Sequence, residues 1–167
     1  MVLLPTLRVA TPLGPVTLVG GEVGLVACWF GDTSALDRAL ARRGGRAVPG
    51  IDPHVVAARE WLLAYFDGEI DLPRPSLEWA GSHFSRAVWA TLCTIPPGTT
   101  CSYGQIARAL GRPRAARAVG AANHANPIGI IVPCHRVVGA SGDLTGYAGG
   151  LDRKAWLLEH ERRFAAG

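Results

Sequence analysis

The sequence predicts two domains of different class. Residues 1–75 are expected to form an α/β domain with a small antiparallel sheet and helices, and residues 82–167 a mainly α-helical domain containing a helix-turn-helix. Three observations support this division. Short apolar runs between glycines and prolines come first, helical apolar spacing dominates after residue 82, and an aperiodic segment with Pro73 and Pro75 lies between them. A chain of 167 residues is long enough for two small domains.

The N-terminal segment predicts three strands followed by two helices. The glycines and prolines between its apolar runs favour an antiparallel meander, with strands at residues 7–10, 16–19 and 24–30. The first helix is expected to begin near Ser34 and to end at Gly44, and the second to begin at Pro53 and to end at Gly68.

Two helices joined by a short turn are predicted within residues 102–124. Ser102 and Gln105 form a Ser-x-x-Gln capping box, which opens a helix that ends at Gly111. Pro113 occupies the first-turn position expected for the second helix. A helix, a short turn with glycine and a second helix are typical of a helix-turn-helix.

The second of these helices is unusually rich in alanine and glycine. Among its residues, only Arg114, Arg117, Val119 and Asn123 have side chains of any reach. Small residues permit close approach, so this helix could enter a narrow groove with Arg117 as its long probe. The alternative is that the small residues pack against another helix.

The charge of the chain is distributed unevenly. Residues 1–81 carry seven arginines against nine carboxylates, a net charge of −2, whereas residues 82–167 carry ten Lys/Arg against four carboxylates, a net charge of +6. No acidic residue lies between Glu78 and Asp143, a window that contains six arginines: Arg86, Arg108, Arg112, Arg114, Arg117 and Arg136. A polyanion is the expected partner, although a biased genome composition could produce the same pattern.

Several classes of protein and site are excluded by the sequence. No apolar stretch approaches the length of a membrane span, and the first residues lack a basic start and a long apolar run, so we expect no membrane association and a cytoplasmic location. The four cysteines contain no Cys-x-x-Cys pair, which argues against a disulfide framework and a zinc cluster. No glycine-rich phosphate loop is present, and we expect neither a metal nor any other cofactor.

Cys134 differs from the other cysteines because His135 and Arg136 follow it. Such neighbours favour the thiolate, which is the reactive form of cysteine. Residues 128–132 are expected to form a buried extended strand that leads to Cys134. Because successive side chains of a strand point to opposite faces, a bridging water or a kink would be required to couple Cys134 with His135. Glu159 and Glu161, near the end of a helix that begins near Leu151, are candidates to orient the imidazole. A buried structural Cys-His pair is the alternative.

The sequence around Cys134 resembles the active-site signature of the O6-alkylguanine-DNA alkyltransferases. The resembling segments follow the same order as in that family and are IVPCHRVV at 131–138, SYGQIA at 102–107, AARAVG at 115–120, NP at 126–127, LTGYAGGL at 144–151 and LLEHE at 157–161. The resemblance covers residues 82–163 well, but residues 1–81 only loosely. Some relatives also carry a structural zinc ion, for which this chain offers only scattered Cys28, His54 and His83.

The resemblance implies a fold and a reaction. The N-terminal domain would be ribonuclease-H-like. The protein would bind double-stranded DNA through the minor groove, flip out O6-alkylguanine and also O4-alkylthymine, and transfer the alkyl group irreversibly to Cys134 in a single turnover. Cooperative assembly on DNA is a further property that the resemblance suggests.

The resemblance also implies roles for individual residues. Catalysis would involve Cys134, His135 acting through a water, Glu161 orienting His135, and Tyr103 binding guanine N3. Arg117 would replace the flipped nucleotide in the base stack, and the other DNA contacts would come from Ser102, Tyr103, Arg112, Arg114, Ala116 and Ala118. The base pocket would involve Asn126 as a hinge, the carbonyls of Cys134 and Val137, and the residues Tyr147 and Ala148.

Three rival functions agree less well with the sequence. A lesion sensor that flips the base without reacting would lack Cys134. A Cys-His hydrolase would leave the helix-turn-helix and the acid-free window unexplained. A conventional helix-turn-helix regulator is disfavoured because its base-reading helix would be nearly all alanine and glycine.

Overall fold

The structure is a computed structural model that describes residues 1–165 and divides into two compact units. The first unit, Met1–Trp79, contains the elements β1 (Val2–Val9), β2 (Val16–Gly20), β3 (Leu25–Phe30), α1 (Ser34–Arg42), β4 (Gly45–Pro49) and α2 (Pro53–Phe66). The second unit begins at Ala80 and contains α3 (His83–Leu92), β5 (Cys101–Ser102), α4 (Tyr103–Ala109), α5 (Ala116–His124), a 3-10 helix (Cys134–Arg136), β6 (Val137–Val138) and α6 (Leu151–Ala165).

The sheet of the first unit is mixed, with the strand order β3-β2-β1-β4. The antiparallel meander of β1, β2 and β3 agrees with the sequence prediction. The fourth strand is not predicted by the sequence, because it is short and begins at Gly45, the second of the two glycines after α1. It pairs in parallel with the first half of β1, from Val2↔Gly45 to Thr6↔Pro49, and this pairing explains why β1 begins well before residue 7.

Helices on the sheet complete the core of the first unit. The central strand β2 is buried throughout, and α2 packs against β1, β2 and β3. A second apolar cluster joins Leu36 and Leu40 of α1 to Val19, Val26 and Ala27 of the sheet. The unit extends to Trp79 rather than to residue 75, because Leu77 forms a bridge with Leu25 of β3. No helix among the described residues has the length and apolar character needed to cross a membrane.

The second unit is mainly helical, as the sequence predicted. The capping box of α4 is present: Ser102 Oγ accepts from the Gln105 backbone N–H at 3.1 Å, and Gln105 Oε1 accepts from the Ser102 N–H at 2.8 Å. Helix α3 supports α5 through the Trp89 indole N–H, which donates to the Ala122 carbonyl at 2.9 Å. The capping box fixes the start of α4, and the indole hydrogen bond attaches α5 to α3.

Helix α5 begins later than the sequence indicates. Pro113 and Arg114 lie in a turn, and the helix starts at Ala116 with Ala115 as a cap residue whose side chain makes no capping hydrogen bond. The fixed φ of proline suits a turn as well as a first helical turn, and the Ala115 N–H closes this turn by donating to the Arg112 carbonyl. Arg112 and Arg114 therefore precede the helix and are not part of its first turn.

The segment before Cys134 is not the extended strand that the sequence suggests. It is a buried coil in which Ile130 has a positive φ of 68°, a strained value for a β-branched residue. The Asn126 side chain sustains it by accepting from the Ile128 N–H at 3.0 Å and by donating to the Ile128 and Val132 carbonyls at 3.2 and 3.0 Å. The spacing of apolar residues does not reveal this coil, because the coil depends on hydrogen bonds from the Asn126 side chain.

Replacement of Asn126 by alanine tests this account of the coil. The Asn126→Ala variant leaves the buried Ile128 N–H without its partner and removes one of the two donors to each of the Ile128 and Val132 carbonyls, so we expect the unfolding free energy to fall by about 3 kcal/mol. Urea unfolding followed by tryptophan fluorescence measures the loss. The control is Gln105→Ala, which removes one exposed capping bond and should cost about 1 kcal/mol or less. Equal losses in the two variants would contradict the proposed support.

Candidate active site

Cys134 lies in the interior of the second unit, at the start of the 3-10 helix, with only 4% of its surface exposed. Its carbonyl oxygen accepts from the Asn123 side-chain amide at 3.3 Å and from the Val137 N–H. Both lone pairs of that carbonyl are thus engaged. None of the four cysteines forms a disulfide. Since the backbone here is a 3-10 helix, the expected alternation of Cys134 and His135 across an extended strand does not apply.

A buried carboxylate organises the two residues that follow Cys134. Glu161 of α6 accepts from His135 Nε2 at 2.7 Å and from both Nε and an Nη of Arg136 at 2.8 Å. The remaining Nη of Arg136 donates to the Ile95 carbonyl at 2.6 Å. Of the two candidate carboxylates, Glu159 is excluded, because it is exposed and pairs with Arg162.

Arg136, one of the six arginines of the acid-free window, is buried and not part of the surface. Only 2% of the residue is exposed, and its guanidinium donates to Glu161 and to the Ile95 carbonyl in the segment after α3. Its position directly after His135 was the available sequence signal, but a buried ion pair with a residue 25 positions later cannot be identified from spacing alone.

The protonation states in this cluster follow from burial and charge. Burial lowers the pKa of His135, even though the Glu161 carboxylate opposes the shift. Burial also disfavours ionised Glu161, but the charges and hydrogen bonds of His135 and Arg136 outweigh it and hold the pKa of Glu161 well below its usual range. A neutral His135 therefore donates its Nε2–H to an ionised Glu161. Its Nδ1, which has no hydrogen-bond partner among residues 1–165, is then the basic nitrogen.

Lys154 is a buried cation that the sequence analysis missed. Its Nζ donates to the carbonyls of Val137 at 2.5 Å and Thr145 at 2.7 Å, and no carboxylate of the described chain forms an ion pair with it. Lys154 precedes Glu161 by seven residues, so the same buried face of α6 supplies both. The available signal was that Lys154 is the single lysine of an arginine-rich chain.

The pKa of the Cys134 thiol is subject to opposing effects. Burial raises the pKa of Cys134, whereas the Asn126 side-chain hydrogen bond and the positive charge of Lys154 oppose the increase. Burial lowers the pKa of Lys154, which the Cys134 charge opposes in turn. Burial therefore favours the protonated thiol, whereas Asn126 and Lys154 favour the thiolate.

Most of the residues expected in the base pocket lie next to Cys134 in the chain or are linked to Cys134 and Lys154 by hydrogen bonds. Val137 and Asn126 are buried, and both contact the cluster, through Lys154 and Cys134 respectively. Tyr147 is buried in the loop that Lys154 holds, whereas Ala148 next to it is exposed. Tyr103 is half-buried, and its hydroxyl donates to the Thr145 carbonyl at 3.2 Å.

The residues expected to contact DNA are distributed over α4, the turn and α5. Helix α5 buries Val119, Ala122 and Asn123 and exposes Arg117 and Ala118, so the small residues are not all used for internal packing. Of the other residues expected to contact DNA, Arg112 and Arg114 are exposed, and Ser102 and Ala116 are half-buried. The Arg112 guanidinium lies 5.5 Å from the centre of the Phe84 ring. No group of three or more potential metal ligands comes together among the described residues.

Comparisons with known proteins agree in pointing to one family. The family model described as 6-O-methylguanine DNA methyltransferase, DNA binding domain, matches residues 83–163. Curated relatives named methylated-DNA–protein-cysteine methyltransferase include one from Mycolicibacterium paratuberculosis, 50% identical with coverage of 93% of this chain and 90% of the relative. Another, from Shigella flexneri, is 44% identical with coverage of 92% and 93%.

Solved structures give the same result. The Mycobacterium tuberculosis O6-methylguanine methyltransferase is 44% identical, with a TM-score of 0.81 and coverage of 96% of this chain and 93% of that one. The Mycobacterium tuberculosis OGT in complex with DNA is 45% identical, also with a TM-score of 0.81, and coverage is 98% and 94%. These matches extend over both units and are not restricted to the segment around Cys134.

The effect of Lys154 on the thiol can be measured without DNA. Lys154→Met keeps the length of the side chain but removes its charge, so the apparent pKa of Cys134 should increase. The carbamidomethylation of Cys134 by iodoacetamide is followed on the Cys134 peptide by mass spectrometry from pH 6 to pH 10. In Lys154→Met its pH profile should shift to higher pH, and the reaction should slow about tenfold at neutral pH. Lys154→Arg, which retains a positive charge, is the matched control. An identical pH profile for Lys154→Met and the wild type would show that the lysine only supports the backbone.

Proposed function

Because this chain belongs to the family of methylated-DNA–protein-cysteine methyltransferases, we propose that it repairs alkylated DNA by direct reversal. It binds double-stranded DNA, turns an O6-alkylguanine out of the helix and transfers the alkyl group to Cys134. The observation that carries the proposal is the buried Cys134 with its neighbour His135, whose ring is fixed by Glu161, which Arg136 holds in turn. A buried thiol cannot reach a base inside a duplex, so the base must leave the stack.

The reaction is an in-line displacement at the alkyl carbon. The Cys134 proton passes to Nδ1 of His135 through a water, and the thiolate attacks the carbon attached to O6. A sulfur–carbon bond forms while the carbon–oxygen bond breaks, and the guanine leaves with the electron pair. A hydrogen bond from the Tyr103 hydroxyl to guanine N3 offsets the charge that develops on the base. The product thioether is a poor leaving group, so each molecule reacts once.

The Glu161 carboxylate compensates the positive charges next to Cys134 during this reaction. Glu161 already neutralises Arg136, and the protonated His135 that forms is stabilised by the same carboxylate. Lys154 adds a positive charge near the thiolate and holds the Val137 carbonyl, one of the groups proposed to bind the guanine amino group. The residues Tyr147 and Ala148 complete the pocket, with Asn126 as the hinge between α5 and the cysteine. An O4-alkylthymine presents the same kind of alkyl–oxygen bond and is a second substrate.

Helices α4 and α5 act as the helix-turn-helix in this proposal. The slim exposed face of α5, with Ala116 and Ala118, enters the minor groove, and Arg117 fills the space that the flipped nucleotide leaves. Arg112 and Arg114 in the preceding turn contact phosphates, and Ser102 does so at the start of α4.

We also propose a fold family for the first unit, a mode of assembly on DNA and a cellular location. The first unit, with helices on a mixed sheet, is ribonuclease-H-like, and molecules assemble cooperatively along DNA. We place the reaction in the cytoplasm, where reducing conditions keep thiols free, because none of the four cysteines is paired. The reaction as written uses no metal and no cofactor.

The identity of the acceptor is tested by substitution of Cys134. Wild-type protein mixed with duplex DNA containing O6-methylguanine should gain about 14 Da on the Cys134 peptide, since a methyl group replaces the thiol hydrogen. Cys134→Ala should gain nothing yet bind the same duplex with nearly unchanged affinity, because the thiol acts after binding. Cys101→Ala serves as the control and should retain transfer. Methylation of another residue in Cys134→Ala would refute the mechanism.

The role of Arg117 is tested by comparison of two substrates. Arg117→Ala should slow transfer from duplex DNA about 100-fold but leave the reaction with free O6-benzylguanine within about threefold, because the free base has no stack to leave. Arg114→Ala is the control: it should weaken binding to any duplex and lower the salt slope by about one unit, but recover at saturating DNA. If Arg117→Ala slows both substrates equally, Arg117 supports the pocket and does not act in flipping.

A further inference from the structure

The hydroxyl group of Tyr103 is engaged twice by a single residue, Thr145. It donates to the Thr145 carbonyl at 3.2 Å, and it accepts from the Thr145 Oγ1 hydroxyl at 3.3 Å. A phenolic hydroxyl has only one proton to donate. Tyr103 therefore cannot donate to a bound base until it releases the Thr145 carbonyl.

The Thr145 carbonyl has a second donor that makes this release possible. Lys154 Nζ donates to the same oxygen at 2.7 Å, so the carbonyl stays hydrogen-bonded when Tyr103 turns away from it. The Thr145 hydroxyl can continue to donate to the Tyr103 oxygen after the change. Thr145 thus offers Tyr103 one contact that must break and one that can persist.

Two glycines position the Tyr103 ring and the Thr145 loop for this exchange of hydrogen bonds. A Cβ built on Gly120 of α5 would lie 3.7 Å from Cδ1 of Tyr103, so the ring rests against the backbone of α5. On the other side, Gly146 has a φ of 44°, a left-handed conformation that favours glycine, and this turn directs both the carbonyl and the hydroxyl of Thr145 toward Tyr103.

We propose that Thr145 is a positioning residue that acts through Tyr103: its hydroxyl holds the Tyr103 oxygen at the pocket while the Tyr103 proton is redirected from the Thr145 carbonyl to the departing guanine. This inference rests on the proposed function, in which Tyr103 donates to the base. Linked hydrogen bonds polarise one another, so a Tyr103 oxygen that accepts from Thr145 is a stronger donor. Thr145 consequently promotes the step in which negative charge develops on the guanine.

A double-mutant cycle tests the proposal. Thr145→Val is nearly isosteric and removes only the hydroxyl, while the carbonyl that Lys154 holds is retained. We expect it to lower the transfer rate constant at saturating O6-methylguanine duplex about threefold to tenfold, the effect of one hydrogen bond. Thr145→Ser should restore most of the rate. In a Tyr103→Phe background, Thr145→Val should have no further effect, because the group that Thr145 positions is absent.

Two outcomes of the cycle would overturn the proposal. An equal loss in both backgrounds would show that Thr145 acts on the pocket or on folding without Tyr103, and an unchanged rate for Thr145→Val would show that its hydroxyl has no role in transfer.

A spectroscopic measurement separates this proposal from the proposed function. The chain has three tyrosines, so the ¹³Cζ signal of labelled Tyr103 can be assigned by its absence in Tyr103→Phe. Thr145→Val should shift this signal and Thr145→Ser should return it, whether or not an alkyl group is transferred. An unshifted signal would overturn the contact itself. Failure of the wild type to methylate Cys134 would instead overturn the proposed function, and with it the role of Thr145 in transfer.

Discussion

The site depends on a single buried carboxylate. Glu161 is fully buried, yet it stays ionised because His135 and the forked guanidinium of Arg136 supply three short hydrogen bonds. Breaking such a buried pair by removing one partner costs several kcal/mol, about 3–5 in comparable cases. The same carboxylate fixes the tautomer of His135 and joins α6 to the 3-10 helix of Cys134.

Helix α6 places two opposite charges beside the segment that follows Cys134. Glu161 engages the residues directly after Cys134, while Lys154, two turns earlier, holds the carbonyls of Val137 and Thr145. Lys154 thereby joins β6 and the middle of the loop between β6 and α6 to the same helix. This arrangement explains how a glycine-rich segment with several exposed residues can present Tyr147 at a defined, buried position.

Side-chain amides perform the corresponding task on the other side of the cysteine. Asn126 satisfies the backbone of the strained coil around Ile130, and Asn123 reaches from α5 to the Cys134 carbonyl. Helix α5 is therefore connected to the Cys134 backbone by a direct side-chain hydrogen bond. Since α5 also carries Arg117, the helix proposed to meet DNA and the proposed alkyl acceptor are parts of one connected structure.

By itself, the sequence determined the features that depend on local patterns. The three-strand meander, the helices, the capping box at Ser102 and the choice of Cys134 as the distinctive cysteine follow from residue spacing, turn residues and immediate neighbours. Tertiary structure decided what depends on partners far along the chain. The parallel pairing of β4, the coil at Ile130, the burial of Arg136 and Lys154, and the choice of Glu161 over Glu159 all have this origin. The physical reason is that a buried charge or a strained backbone is stable only with specific partners, and the fold, not the local sequence, brings these partners together.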